Sequence, residues 1–568
     1  MTMKFTDFPY MRPNIDDIES DFSKSITVIK DSDKVAEVKK AIQNIQSLQC
    51  AIQTQSTLAS IRNSIDTKDS FYEAETEYWD EQLPIIEGWY TNYYKAVLSR
   101  NTMLDQLEDV FPKTLVKIAE NSIKVFDAKI IPLLQKENKL STEYDKLVAS
   151  AEITYKGDTY NLPGLGKFIQ STNRKERQEV NQLISEFFLE HQADFDRIYD
   201  ELVSLRNEMA LALDFKDFTE MAYARMNRLD YNRQDVEVYR KEVLDHVVPV
   251  AQAYYERQRE RLGLDSLKYF DLPFEFRDGN ATPQGTSDEI LQAAMTMYSD
   301  LSPETGEFID FMVKHDLMDL VTKPGKRAGG YCTYMPDFNS PFIFSNFNGT
   351  SGDVDVLTHE AGHAFQVYES RWISAPEIVF PTYESCEIHS MSMEFFAWPW
   401  MESFFGDQTD KYKYGHLGGA ITFLPYGVLV DHFQHEVYEH PEMTAQERRS
   451  TWRKLEKMYL PWKDYDGNSF YEQGGFWFKQ GHIFSTPFYY IDYTLAQMCA
   501  LQFWQRSHID RDESAWSDYL ALCQVGGTKS FLELIELGNL KSPFQKGNLQ
   551  SVTQDVANYL LEANDNLS

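Results

Sequence analysis

Residues 359–363 read His-Glu-Ala-Gly-His, and if both imidazoles are to serve one ion, that spacing requires a helix. On an α-helix, positions i and i+4 share a face, so His359 and His363 can each turn a ring nitrogen to one tetrahedral zinc. Glu360 then falls beside the metal without ligating it, placed to take a proton from a water held there. The flanks agree with a helix: Asp353 can cap it, and Val354, Leu357, Ala361, Ala364 and Phe365 supply apolar packing. A catalytic zinc site takes three protein ligands, so a third must come from elsewhere in the chain.

The same stretch does not provide it. Position 369, six residues past the second histidine, is Glu, and position 366 is Gln. Some 20–30 residues on, the segment from Tyr383 to Glu394 contains no Gly or Pro and leads into Phe395-Phe396, which predicts a second helix running antiparallel to the first. Glu384, Glu387 and Glu394 fall roughly on one face of it. By chemistry alone any of the three could ligate, leaving the others to hold imidazole N–H groups or to face solvent.

The surroundings are mostly helical. Val35, Val38, Ile42, Ile45, Leu48, Ile52, Leu58, Ile61 and Ile65 recur at steps of three, four and more, as on one long amphipathic helix. Leu115–Leu140 and Arg174–Leu213 read as helices too, and Glu152–Leu165 as a short strand pair or loop. Between Lys323 and Asp353 the chain turns rich in Gly, Pro and Asn, with two strand-like bursts, Tyr331–Met335 and Pro341–Phe347. The predicted class is mainly α with a small β-sheet next to the motif helix. Within the second burst, Phe342–Phe347 could serve as an exposed edge that pairs with an extended peptide.

Other chemistries find less support. The run from Asp431 to His440 contains three histidines, but His435 and His440 are five apart, turned about 140° from each other on a helix; this segment reads as structural. Gly325–Gly330 and Gly526–Gly527 lack nucleotide-binding spacing and read as loops. The formal charge of −33 repels nucleic acid and anionic membranes. The longest apolar stretch, roughly Leu417 to Val430, is interrupted by glycines and Pro425 and is too short to span a bilayer. Five scattered cysteines without a CxxC pair, and an N-terminus without a signal-peptide pattern, point to a reducing compartment, with the cytoplasm as the expected location.

The run from His359 to Gln366, followed by Glu387-Ile388-His389-Ser390-Met391-Ser392-Met393-Glu394, resembles the thimet oligopeptidase family of zinc metallopeptidases, and within it the oligoendopeptidase F branch. Met221–Tyr231, Gly329-Gly330-Tyr331, His482–Tyr493 and Gly526-Gly527 extend the likeness from roughly Leu202 to the C-terminus. The resemblance implies an N-terminal helical domain over residues 1–190 and a catalytic domain over 191–568, with two helical lobes around a deep substrate channel. It implies one Zn2+ per chain on His359, His363 and Glu387, the last being the first Glu of an E-x-x-S-x-x-x-E pattern, and Glu360 as general base. It also implies a His and a Tyr as substrate-binding and oxyanion donors: His482 and Tyr493, with Tyr490 as the alternative. The expected partners are short unfolded peptides, with monomer or homo-oligomer left open. A peptide-binding relative without catalysis and a hydrolase of non-peptide amides or esters are the competing readings; the intact Glu360 speaks against the first.

Overall fold

The computed structural model describes residues 3–562 apart from 324 and 328. It is mainly helical, and its strands in chain order are β1 (Ile153–Tyr155), β2 (Asp158–Tyr160), β3 (Met318–Val321), β4 (Tyr331–Met335) and β5 (Ser340–Phe347). The chain folds into two compact units that interleave along the sequence. The first takes in residues up to Lys124, Thr282–Asp407 and Cys499–Leu540; the second takes in Val125–Ala281, Gln408–Met498 and the chain from Lys541 onward.

In the first unit, Ile15–Asp31, Val35–Ile65 and Ser70–Leu98 pack as long helices. The expected apolar stripe lies in the core: Val38, Ile42, Ile45, Ile52, Leu58 and Ile61 are all buried. The same unit contains a three-stranded sheet of order β3-β5-β4, with β3 parallel and β4 antiparallel to β5. Both strand-like bursts are therefore strands. However, β5 is the central strand, its ladder already satisfied on both sides, so Phe342–Phe347 is not an edge available to a peptide; β4 and β3 form the margins. The Asn346 amide donates 2.8 Å bonds to the carbonyls of Arg327 and Gly329, tying the Gly-rich loop to β5.

The sheet leads directly into the motif helix, Gly352–Ser370. Asp353 sits inside its first turn and does not cap it. Its carboxylate instead accepts from the backbone N–H groups of Asn348 (2.8 Å) and Gly349 (2.7 Å), fixing the turn that leaves β5. Val354, Leu357, Ala361, Ala364 and Phe365 are buried as expected.

In the second unit, the stretch from 174 to 213 forms two helices, Arg174–Glu190 and Gln192–Ala212, broken at His191. The stretch from 115 to 140 likewise falls into separate helices, one ending at Lys124 in the first unit and one beginning at Ile131 in the second. Glu152–Leu165 contains the β1–β2 hairpin. Arg206, fully buried, organises this unit: it donates to Glu137 (2.7 Å), to the Tyr438 hydroxyl (2.9 Å) and to the Phe484 carbonyl. The segment 417–430 lies within one helix, Thr409–Glu439, which accommodates Pro425. Among the described residues no helix is long and apolar enough to cross a membrane.

Candidate metal centre

The motif helix packs antiparallel against Tyr383–Phe396, so that His359 faces Glu394 and His363 faces Glu387. Gly362 permits the close approach. A β-carbon there would lie 2.6 Å from the His389 carbonyl oxygen and 2.6 Å from Ser390 Cα, inside any tolerable contact, so no larger residue fits with the helices at this separation.

The close crossing brings three ligand atoms together. One ligand atom from each of His359, His363 and Glu387 lies within 4.8 Å of the others. Glu387 Oε2 is 3.3 Å from His359 Nε2 and 3.5 Å from His363 Nε2. Tetrahedral zinc with bonds of about 2.0–2.1 Å separates its ligand atoms by roughly 3.3–3.4 Å, so the donor set and two of its edges fit that ion. Three protein ligands leave a fourth position for water or substrate, as a catalytic site requires.

Neighbouring groups orient these ligands. The His359 Nδ1–H donates to Glu394 Oε1 at 2.7 Å, which leaves Nε2 as the atom turned toward Glu387. The Ser390 hydroxyl donates to Glu387 Oε2 at 3.0 Å. Glu384, the third acid of the predicted face, instead accepts from the Thr382 hydroxyl at 2.9 Å. From a third helix, Ser514–Val525, the Tyr519 hydroxyl donates to the His389 carbonyl at 2.9 Å, bracing the segment that carries Glu387. Gly526 braces the linker between the two site helices: its Cβ position lies 2.8 Å from the Val379 carbonyl oxygen.

The electrostatics suit a cation. Burial disfavours charge on His359, but Glu387 and Glu394 more than offset it and hold the imidazole well above its usual pKa. Burial likewise opposes charge on Glu387, and His363 and His359 more than offset it, leaving this carboxyl ionised. Glu360 is 8% exposed; burial raises its pKa, an effect the adjacent histidines only partly counter. A carboxyl poised in this way is suited to exchanging a proton.

His482, Tyr490 and Tyr493 belong to the second unit and cluster there, the His482 ring lying 4.9 Å from Tyr490 and 5.9 Å from Tyr493 by centroid. Arg228 shapes this cluster. It is buried, pairs with Asp492 at 3.1 Å and donates to the Phe488 carbonyl. Phe488 itself takes a left-handed φ of 68°, stabilised by an N–H bond to Gln434 Oε1 at 2.9 Å. Neither Gln434 nor Asp492 stands out in the sequence, since polar residues within an aromatic helical stretch give no periodic signal. Two of the three histidines in Asp431–His440 hold tyrosines of the interior: His435 bonds the Tyr223 hydroxyl at 3.1 Å and His432 the Tyr459 hydroxyl at 3.0 Å, while His440 is exposed beside Glu442.

Comparison with known proteins gives a consistent result. The chain matches the model of the peptidase M3 N-terminal domain over residues 5–126 and that of peptidase family M3 over residues 167–553. A solved structure of PZ peptidase A with an inhibitor is 49% identical, covers 100% of both chains and superposes with a TM-score of 0.94. Group B oligopeptidase PepB of Streptococcus agalactiae is 25% identical over 206 residues, 35% of this chain and 32% of that protein. An oligoendopeptidase F homolog of Borreliella burgdorferi is 23% identical over 399 residues, 67% of this chain and 63% of that protein. The match thus spans less than two thirds of either curated relative, while the family model spans well over half of this chain: the chain belongs to peptidase family M3.

Proposed function

We propose that this chain is a zinc-dependent oligoendopeptidase that hydrolyses internal bonds of short unfolded peptides, with residues 191–568 as its catalytic portion. The support is the meeting of His359, His363 and Glu387 within 4.8 Å, with Glu360 buried next to His359. The names of PZ peptidase A and the oligoendopeptidase F homolog favour peptides over other acyl substrates.

In this mechanism His359, His363 and Glu387 hold the metal. When bound, zinc supplies Lewis acidity toward the scissile carbonyl and acidifies a water. Glu360 accepts the proton of the attacking water and returns it to the leaving amine. His482, with Tyr493 or Tyr490, donates hydrogen bonds to the developing oxyanion. Glu394 keeps His359 in the Nδ1–H tautomer throughout.

The test is cleavage of a pool of short internally quenched peptides by wild type and Glu360→Gln, with products identified by mass spectrometry. Internal cuts that vanish in the variant and under chelation are expected. Cuts that survive in Glu360→Gln would remove the general-base assignment. A folded, zinc-loaded wild type that cuts nothing would favour the binding or non-peptide readings.

A further inference from the structure

The second unit contains a cavity of about 310 Å³ that the proposed chemistry does not use. Its walls include Tyr255, Tyr426, Trp462 and Phe476, and two lysines, Lys463 and Lys479, project into the same space. Both ammonium groups lie over one ring: Lys463 Nζ is 3.1 Å and Lys479 Nζ 3.7 Å from the Phe476 centroid. Two like charges held against one ring repel each other, and a ring quadrupole offers each only a modest return.

The charges around the cavity do not balance. Lys463 pairs with Glu456 at 3.5 Å, but the same carboxylate also takes a 3.1 Å bond from Arg453 and one from the Tyr465 hydroxyl. Arg453 is further matched by Glu472 at 2.8 Å. Among the described residues, no carboxylate lies within ion-pair distance of Lys479. Three basic side chains therefore face two carboxylates, and Lys479 is the one left over at the mouth of an aromatic pocket, in a chain whose net charge is −33. Both lysines are held below their usual range, to about 8 for the buried Lys463 side chain and about 7 for Lys479, first by loss of solvent at the ammonium group, although the Lys479 residue as a whole is exposed, and, for Lys479, next by the Lys463 charge. A ligand anion would offset both effects with an opposite charge.

We propose that this cavity is a carboxylate-recognition site that takes the C-terminal carboxylate of a short peptide with an apolar last residue, the carboxylate on Lys479 and the side chain among Tyr255, Tyr426 and Trp462. A volume of about 310 Å³ holds roughly one or two residues. The monoanion supplies the missing charge, and the aromatic walls require that it carry an apolar body. The choice of a peptide carboxylate rests on the oligopeptidase reading; the anion site itself does not.

The experiment uses the full chain as Glu360→Gln, so that binding is read by calorimetry without turnover. Three peptides of the same apolar sequence are compared: free acid, C-terminal amide, and an amide with Glu as the last residue. N-acetylphenylalanine and its amide form a second pair that needs no peptidase function. The free acid and N-acetylphenylalanine are expected to bind about ten- to a hundredfold tighter than their amides, the range for one charge-assisted contact. Adding Lys479→Met should erase that difference, and Lys479→Arg should restore most of it. Tight binding of the Glu amide alone would move the source to an acidic side chain and overturn the C-terminal assignment. Equal binding of acids and amides, or a preference that survives Lys479→Met, would overturn the site altogether. If wild type cuts no peptide while N-acetylphenylalanine still binds through Lys479, the oligopeptidase reading falls and the anion site stands.

Discussion

Gln480 Nε2 lies 2.8 Å from His482 Nδ1, while Gln480 Oε1 accepts a 2.8 Å bond from the Tyr426 hydroxyl. The Tyr426 bond sets the direction of the amide, so its NH2 group donates to the imidazole. His482 therefore accepts at Nδ1 and carries its proton at Nε2, the state a hydrogen-bond donor to an oxyanion needs. Gln480→Glu reverses the arrangement by drawing the proton to Nδ1. We predict a loss in kcat on the order of a hundredfold with KM changed little, and a much smaller loss for Gln480→Met. Equal, small effects of both substitutions would detach His482 from transition-state stabilisation.

Tyr490 and Tyr493 both pack against His482, and their hydroxyls are chemically equivalent candidates for the second donor. Replacing the acting tyrosine by Phe removes one hydrogen bond made only in the transition state. The expected loss is about a hundred- to a thousandfold in kcat with KM nearly constant. The other variant should stay within a few fold of wild type. A pair of variants that both raise KM and spare kcat would make these rings substrate contacts only.

Much of the candidate metal site was legible because its periodicity is local. The i, i+4 histidines, the acidic face of the next helix and the apolar face around Leu357 and Phe365 are all properties of a single helix read along its own sequence. Chemistry left Glu384, Glu387 and Glu394 equivalent, and what separates them is the antiparallel crossing at Gly362, a contact between distant segments. The same limit accounts for β5. A run such as Pro341–Phe347 reads as a strand, but whether it is central or marginal depends on β3, whose four residues give almost no pattern. The break at His191 involves neither Gly nor Pro, so two helices read as one. Gln480, Arg228 and Gln434 matter only through partners far away in the chain.

Glu394 and Ser390 touch His359 and Glu387, the proposed ligands, so their removal should weaken metal binding without abolishing it. Glu394→Gln keeps an acceptor for the His359 Nδ1–H but loses the charge; Glu394→Ala loses both. Zinc affinity, read by competition with a chromophoric chelator, is expected to fall about tenfold for the first and about a hundredfold for the second. Ser390→Ala, which frees one Glu387 oxygen, should resemble the milder case. Unchanged affinity in Glu394→Ala would mean that the 2.7 Å contact does not orient His359.

Gly362 sets the distance between the two helices that carry the proposed ligands. In Gly362→Ala the new methyl group meets backbone atoms of His389 and Ser390, which cannot rotate away. The helices must part, which costs about 1–3 kcal/mol as overpacking and draws Glu387 away from both histidines. Loss of zinc affinity together with a lower melting temperature is expected. Gly419, whose Cβ position has nothing within 4 Å, provides the control: Gly419→Ala should leave both measurements near wild type.

Acid should weaken the second unit through Glu137. Burial alone would raise its pKa, but Arg206 at 2.7 Å and Arg225 at 3.1 Å more than offset that and hold it at about 2, below the ordinary 4.5. Because the folded value is the lower one, the unfolded chain takes up this proton first. The contribution is fully present above about pH 4.5 and is lost as pH falls toward 2, a span worth on the order of 3 kcal/mol. Glu137→Gln removes the charge and leaves Arg206 buried beside a neutral amide, which is costly at neutral pH. The gap in denaturant midpoint between wild type and Glu137→Gln should therefore be constant from pH 7 to pH 5 and close steadily at lower pH, other carboxyls being common to both proteins. A gap still undiminished at pH 3 would show that Glu137 does not titrate in this window, and that the buried arginine is balanced by the Tyr438 hydroxyl and the Phe484 carbonyl instead.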